Sequence, residues 1–180
     1  MLFTYADTIK RHGSDYQIRK ALANKALYKI DRGVYSDSAV VDPFASIALR
    51  YPDVIFTGTS AYYLHGLSDV IPQKFEVATL RNARKITKQL ILQHFVPAER
   101  FNCGKMGKQI DGVTVHLYDQ ERMLLELLHN RNKLSFDVYK EVQTEFRERI
   151  DSMNYRKIEQ YAQHMPQGRK LLDLIRKEVF

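Results

Sequence analysis

The chain has 180 residues, 44% hydrophobic and 27% charged: enough apolar material for a packed core, and too little bias for a disordered or fibrous polymer. Its formal charge of +7 favours a polyanionic partner, while a single cysteine, Cys103, excludes a disulfide framework and a thiolate zinc site. No apolar run approaches the roughly 18 residues of a membrane span, and Met1-Leu2-Phe3-Thr4-Tyr5 lacks the basic flank and apolar core of a secretory leader. A cytoplasmic protein with no membrane partner is therefore expected.

Residues 1–36 read as a small basic domain. Phe3, Ala6 and Ile9, spaced through polar residues, predict an amphipathic helix over 3–12 that Gly13 stops. Ser14 lies three residues before Gln17, the S-x-x-Q spacing of a capping box, and starts a second helix running to about Asn24. Ile18, Ala21 and Leu22 form its apolar stripe, so Tyr16, Gln17, Arg19, Lys20 and Asn24 point the other way. Leu27-Tyr28-Lys29-Ile30, a turn at Asp31-Arg32-Gly33 and Val34-Tyr35-Ser36 alternate as a β-hairpin. Helix, tight turn, helix and basic hairpin is the order of a winged helix-turn-helix, here without a leading helix.

Arg and Lys pair with guanine edges or phosphates, Gln and Asn grip adenine, and a helix N-terminus holds a phosphate on its free N–H groups. The candidate contacts with double-stranded DNA are therefore Ser14, Tyr16, Gln17, Arg19, Lys20, Asn24, Lys25, Lys29 and Arg32. The same residues also fit a small helical cap whose charges face water, with Arg32 bracing the turn against Asp31. Tyr35 reads as core.

Residues 37–180 read as an α+β domain ending in a helical bundle. Asp42-Pro43 starts a helix, Asp as N-cap and Pro at the first position, with Phe44, Ile47 and Ala48 buried and Pro52 ending it. Val54-Ile55-Phe56 is a short strand that turns at Thr57-Gly58-Thr59 into a helix, capped by Ser60 or Thr59 and stopped at Gly66. Gly58 allows either a positive φ or the close approach of a neighbour. Strands follow at 75–79, 90–95 and 113–118, with Gly104, Gly107 and Gly112 marking a loop or hairpin between the last two. Arg81, Arg84, Lys85 and Lys88 form a further basic patch in a loop or short helix. That patch faces water, extends a DNA footprint or meets an acidic partner. From Asp119 onward four helices are expected, with stripes Met123-Leu124-Leu127-Leu128, then Tyr139-Val142-Phe146 behind a Ser135 cap, then Tyr155-Ile158-Tyr161-Ala162. The last is led by Pro166 and carries Leu171, Leu172 and Ile175.

Three motifs carry a family resemblance. Residues 58–72 follow G-x-S-A-x-x-L-H-G-L-x-D-x-x-P, R-G-V-Y stands at 32–35, and residues 119–126 read D-x-E-R-x-L-x-E. Together they resemble the antitoxin family of the abortive-infection E (type IV) toxin–antitoxin systems, which usually has Asp where this chain has Glu126. The resemblance implies a winged-helix DNA-binding domain that represses its own operon, and a C-terminal domain that opposes a cognate nucleotidyltransferase toxin without a stable complex. A stand-alone winged-helix regulator and an active nucleotidyltransferase are the alternatives. A co-transcribed nucleotidyltransferase gene would favour the antitoxin over the first.

The strand-Gly-x-Ser-helix order is also how nucleotidyltransferases begin. They then need a D-x-D or D-x-E pair on the next strand to bridge two magnesium ions; that strand here offers Glu76-Val77-Ala78. With one carboxylate the domain reads as a degenerate relative and not an enzyme, without catalytic residues or cofactor. His65, His94 and His116 are too scattered for a metal cluster. Ser60 lacks a His-Asp arrangement that would make it a nucleophile.

Overall fold

The computed structural model describes residues 1–179, which form nine α-helices and two β-sheets in a mixed α+β arrangement. The chain divides into two units, Met1–Val54 with Gly107–His116, and Ile55–Met106 with the chain from Leu117 onward. No helix among the described residues is long and apolar enough to cross a membrane.

In the first unit, the helix expected over 3–12 begins later. Leu2–Thr4 are strand β1 and helix α1 covers Tyr5–His12. Thr4 sets the boundary: its hydroxyl accepts from the Asp7 N–H at 3.2 Å. Ala6 is exposed, and the buried position of α1 is Thr8, whose hydroxyl donates to the Thr4 carbonyl at 2.7 Å. A search for apolar spacing passes over a threonine satisfied by its own helix.

Gly13, at φ +83, turns the chain into α2 (Asp15–Ala23), where Ser14 Oγ accepts from the Gln17 N–H at 3.3 Å as the capping spacing implied. Strands β2 (Tyr28–Asp31) and β3 (Val34–Ser36) form the expected hairpin. β1 adds to its other side, Leu2 opposite Ser36, giving the order β1-β3-β2.

Alternation along β3 gives this sheet two buried faces. Tyr35 packs with Ile18 of α2 and Leu27, whereas Val34 packs with Leu2 and Ala45. Ala45 belongs to α3 (Pro43–Arg50), begun as expected by Asp42, whose Oδ1 accepts from the Ala45 N–H at 3.0 Å, and by Pro43. The expected boundary at residue 36 is the end of β3, but the unit runs on because α3 covers the Val34 face. Ile110 and Val113 pack on the same cluster.

The second unit starts with β4 (Ile55–Phe56) and α4 (Gly58–Leu64), followed by β5 (Phe75–Leu80), β6 (Ile91–Val96) and the short α5 (Ala98–Phe101). β7 (Lys105–Ile110) and β8 (Val113–Tyr118) lie for the most part in the first unit's segment Gly107–His116, and the strand order of the five-stranded sheet is β6-β5-β4-β8-β7. β4 runs antiparallel to β5 and parallel to β8, and β5 runs parallel to β6. Residues 105–110 are mostly exposed and lack apolar alternation, so glycines alone marked this hairpin in the sequence. Residues 81–90 carry no helix.

Four helices complete the chain: α6 (Gln120–His129), α7 (Phe136–Arg149), α8 (Tyr155–Gln163) and α9 (Gly168–Glu178). Met123, Leu124, Leu127, Leu128, Val142, Phe146, Ile158, Ala162, Leu171 and Ile175 share one core, as the stripes predicted, and Leu125 joins them. Ser135 stands at the expected N-cap of α7 but makes no side-chain capping hydrogen bond, and α9 starts after Gln167, in the left-handed region at φ +59, not at Pro166.

Because α3 and β3 bury each other's apolar faces, a chain shortened to begin at Ala39 should leave Ala45 and Leu49 in water. Limited proteolysis should then cut within residues 39–54 of the shortened chain and spare them in the intact one. Equal protection in both would show that α3 is held without the sheet.

Candidate functional site

The first set of candidate residues lies on α2 and the hairpin. Ile18 is 3% exposed and anchors α2 from behind, while Tyr16 is 71% exposed and Gln17, Arg19 and Lys20 are exposed with it. Ser14 is the N-cap, and Asn24, exposed, is the C-cap, its N–H reaching the Lys20 carbonyl at 3.0 Å. Lys25 follows at φ +56, a left-handed step that ends the helix and turns the chain toward β2. Lys29 is exposed on β2, and Arg32 is exposed in the hairpin turn, its N–H donating to Asp31 Oδ1 at 2.7 Å. No acidic side chain among the described residues forms an ion pair with Arg19, Lys20, Lys25, Lys29 or Arg32. Tyr35 is buried at 8% exposure, as expected of a core residue.

The second basic group belongs to the other unit. Arg81, Arg84, Lys85 and Lys88 sit between β5 and β6; the first three are exposed and Lys88 is half-buried. Gln93 holds this loop. Its Nε2 donates to Thr79 Oγ1 at 2.8 Å and to the Arg84 carbonyl at 3.2 Å, and its Oε1 accepts from the Ile86 N–H at 2.7 Å.

The strand-turn-helix around Gly58 is organised by Glu76. Thr59 donates to Glu76 Oε1 twice, from its N–H at 3.0 Å and its hydroxyl at 2.8 Å, while His94 Nε2 lies 2.7 Å from Oε2. Ser60 Oγ accepts from the Glu76 N–H at 2.8 Å, so neither Ser60 nor Thr59 serves as the expected helix cap; Thr57 occupies the N-cap position. Gly58 meets both demands foreseen for it: φ is +53, and an added Cβ would lie 2.5 Å from the Glu76 carboxyl carbon. Burial alone would raise the pKa of Glu76; the hydrogen bonds from His94 and Thr59 outweigh burial and hold it below its ordinary value.

The D-x-E-R-x-L-x-E run gains a structural account. Asp119 caps α6, accepting from the Arg122 N–H at 3.0 Å, and takes the Tyr161 hydroxyl at 3.0 Å. Glu121 accepts from the Asn154 N–H at 3.0 Å at the start of α8. Arg122 is buried, its Nε donating to Glu126 at 2.9 Å, and Glu126 also accepts from the Thr57 hydroxyl. His65 closes α4, with Nε2 2.7 Å from the Tyr118 carbonyl.

Sequence reasoning missed the cavity these residues share. Thr57, Gly58, Glu76, His94, Arg122 and Glu126 line a space of about 460 Å³ in the second unit. The available signal was the Arg122–Glu126 spacing on a helix otherwise apolar on nearly every side. Among the described residues no three His, Cys, Asp or Glu side chains are grouped to hold a metal ion.

Gly58→Ala should destabilise the second unit by roughly 1–2 kcal/mol for the left-handed backbone alone, and by more where the carboxylate must move. Glu76 has a lowered folded value, so its contribution is present above the ordinary carboxylate range and lost as pH falls through the folded value. Glu76→Gln should therefore lower Tm at neutral pH and flatten the acid limb of the Tm–pH curve. An unchanged acid limb would contradict this role.

No family model matches the chain, and no curated protein matches it.

Proposed function

We propose that the protein is a DNA-binding regulator of the abortive-infection E antitoxin kind, repressing its own operon and opposing a nucleotidyltransferase toxin. The observation that carries this reading is the outward face of α2. Tyr16, Gln17, Arg19, Lys20 and Asn24 stand together on it, and Ile18 fixes the helix from behind. In this reading residues 1–36 are a winged helix-turn-helix. α1, the Gly13-Ser14 turn and α2 are the helix pair, and the β2–β3 hairpin is the wing, bringing Lys29 and Arg32 to phosphates. Arg19, Lys20, Lys25, Lys29 and Arg32 supply the salt-dependent, sequence-independent part of affinity, and Gln17 and Asn24 supply adenine-edge contacts.

The second unit, Ile55–Met106 with the chain from Leu117 onward, is the antitoxin domain in this reading, with α6–α9 as its helical bundle. A non-catalytic role for it is supported by the state of Glu76, whose two carboxylate oxygens are engaged by Thr59 and His94. Ala78 stands where a second metal-bridging carboxylate would be needed.

Arg19→Ala with Lys20→Ala should weaken binding to DNA from upstream of the gene while leaving Tm unchanged, because both side chains are exposed. If each contacts a phosphate, the slope of log affinity against log salt should fall by about one unit per residue. Full affinity in the double variant, measured by fluorescence anisotropy across a salt series, would remove α2 from the DNA site.

A further inference from the structure

The cavity of the second unit is not used by the DNA reading, and its lining divides by chemistry. Leu92, Phe95, Leu134 and Met165 are apolar, and Leu92 and Phe95 remain 43% and 46% exposed. Arg100, Arg122, His129 and Lys133 are basic, against Glu76 and Glu126.

The two acids are already satisfied within the protein, Glu76 by Thr59 and His94, and Glu126 by Arg122 and Thr57. Arg100 and Lys133 are not. No acidic side chain among the described residues pairs with Arg100 or Lys133, and Lys133 has only the Asn130 Oδ1 at 3.2 Å. Arg122 is 2% exposed, and its Nη1 is buried without a hydrogen-bond partner among the described residues. A buried guanidinium nitrogen left in that state is costly, and a nearby anion relieves it. His129 reports the same field: burial, followed by Lys133, Arg100 and Arg122, disfavours its protonation, against the opposing pull of Glu126.

We infer that this cavity binds a small organic anion, its charged head held by Arg100 and Lys133 and its ring or apolar body lying against Leu92 and Phe95. The volume falls in the range of small-molecule sites, roughly 300–1,000 Å³. Two free cations beside a buried third attract one phosphate or carboxylate group, and the uncovered side chains of Leu92 and Phe95 gain by burying a ring. The site is a property of the second unit, whatever the first unit binds.

The test uses the intact protein with labelled histidines and four probes: phenyl phosphate, benzoate, inorganic phosphate and neutral benzyl alcohol. Nuclear magnetic resonance follows the His129 titration while calorimetry gives affinity. An organic anion should raise the His129 pKa, because its charge offsets Lys133, Arg100 and Arg122, with Glu126 unchanged beside it. Benzyl alcohol should not, and inorganic phosphate should bind at least tenfold more weakly than phenyl phosphate. Benzoate binding as tightly as phenyl phosphate identifies a carboxylate site; a preference for phenyl phosphate identifies a phosphate site. Arg100→Ala with Lys133→Ala should abolish the shift, and Phe95→Ala should weaken phenyl phosphate while sparing inorganic phosphate. Failure of both organic anions to move His129 at millimolar concentration would overturn the proposal. So would undiminished binding in the double variant, or equal affinity for inorganic and phenyl phosphate.

Discussion

One residue, Glu76, fixes the start of the second unit. Its carbonyl accepts from the Thr57 N–H at 3.1 Å, its N–H donates to Ser60 Oγ, and its carboxylate takes both donors of Thr59. β4, the turn and α4 are thereby stitched to β5 through a single side chain and its own peptide groups. The arrangement demands glycine at 58, because the carboxylate occupies the volume a Cβ would fill. It also demands donors enough to offset the burial of a charge, and Thr59 and His94 provide them. The Gly-x-Ser order is thus explained by packing and hydrogen bonding, with no reacting group required.

Arg122 and Glu126 make the second buried charge arrangement, and their role differs. An ion pair taken out of water is weak evidence for stability, since desolvation cancels much of the attraction. Its geometric effect is clearer. Glu126 ties the middle of α6 to Thr57 at the head of α4, while Arg122 lies over the Tyr118 ring with its centre 5.0 Å away. Breaking either partner would leave a charge buried and alone. The pair therefore ties α6 to the start of α4, while the Nη1 of Arg122 is buried without a hydrogen-bond partner among the described residues.

What the sequence made legible follows from the range of each interaction. Local signals read well: Ser14 and Asp42 cap the helices they were expected to cap, Gly33 turns the hairpin, and the apolar stripes of α6–α9 meet in one core. Signals that needed a distant partner did not. Leu2–Thr4 became a strand because β3 offered it an edge, although Phe3, Ala6 and Ile9 were spaced for a helix. Ser60 sits where the local pattern expects a cap, but its partner, the Glu76 N–H, lies 16 residues away. β7 carries almost no apolar pattern because most of it is exposed. The outward residues of α2 were legible from its period alone, whereas the cavity draws its lining from several separate elements and leaves no local motif.

The net charge of +7 is by itself a poor guide to a partner, and the placement of the cations sorts it better. Lys10 and Arg11 lie in the last turn of α1, where cations complement the helix dipole, and Arg11 also stacks 4.5 Å from the Phe3 ring centroid. They are accounted for by the fold. Lys20 shares the last-turn placement in α2, while Arg19, Lys25, Lys29 and Arg32 have no such employment, and the five are spread over a helix face, its end and a hairpin. Spread charge on an outward surface suits a polymer that repeats its phosphates at intervals. Arg100 and Lys133 instead share a concave lining with exposed apolar side chains, which suits a single charge attached to a compact body. On the proposed readings these two basic regions call for two different anions, because geometry, more than charge count, decides which anion each can hold.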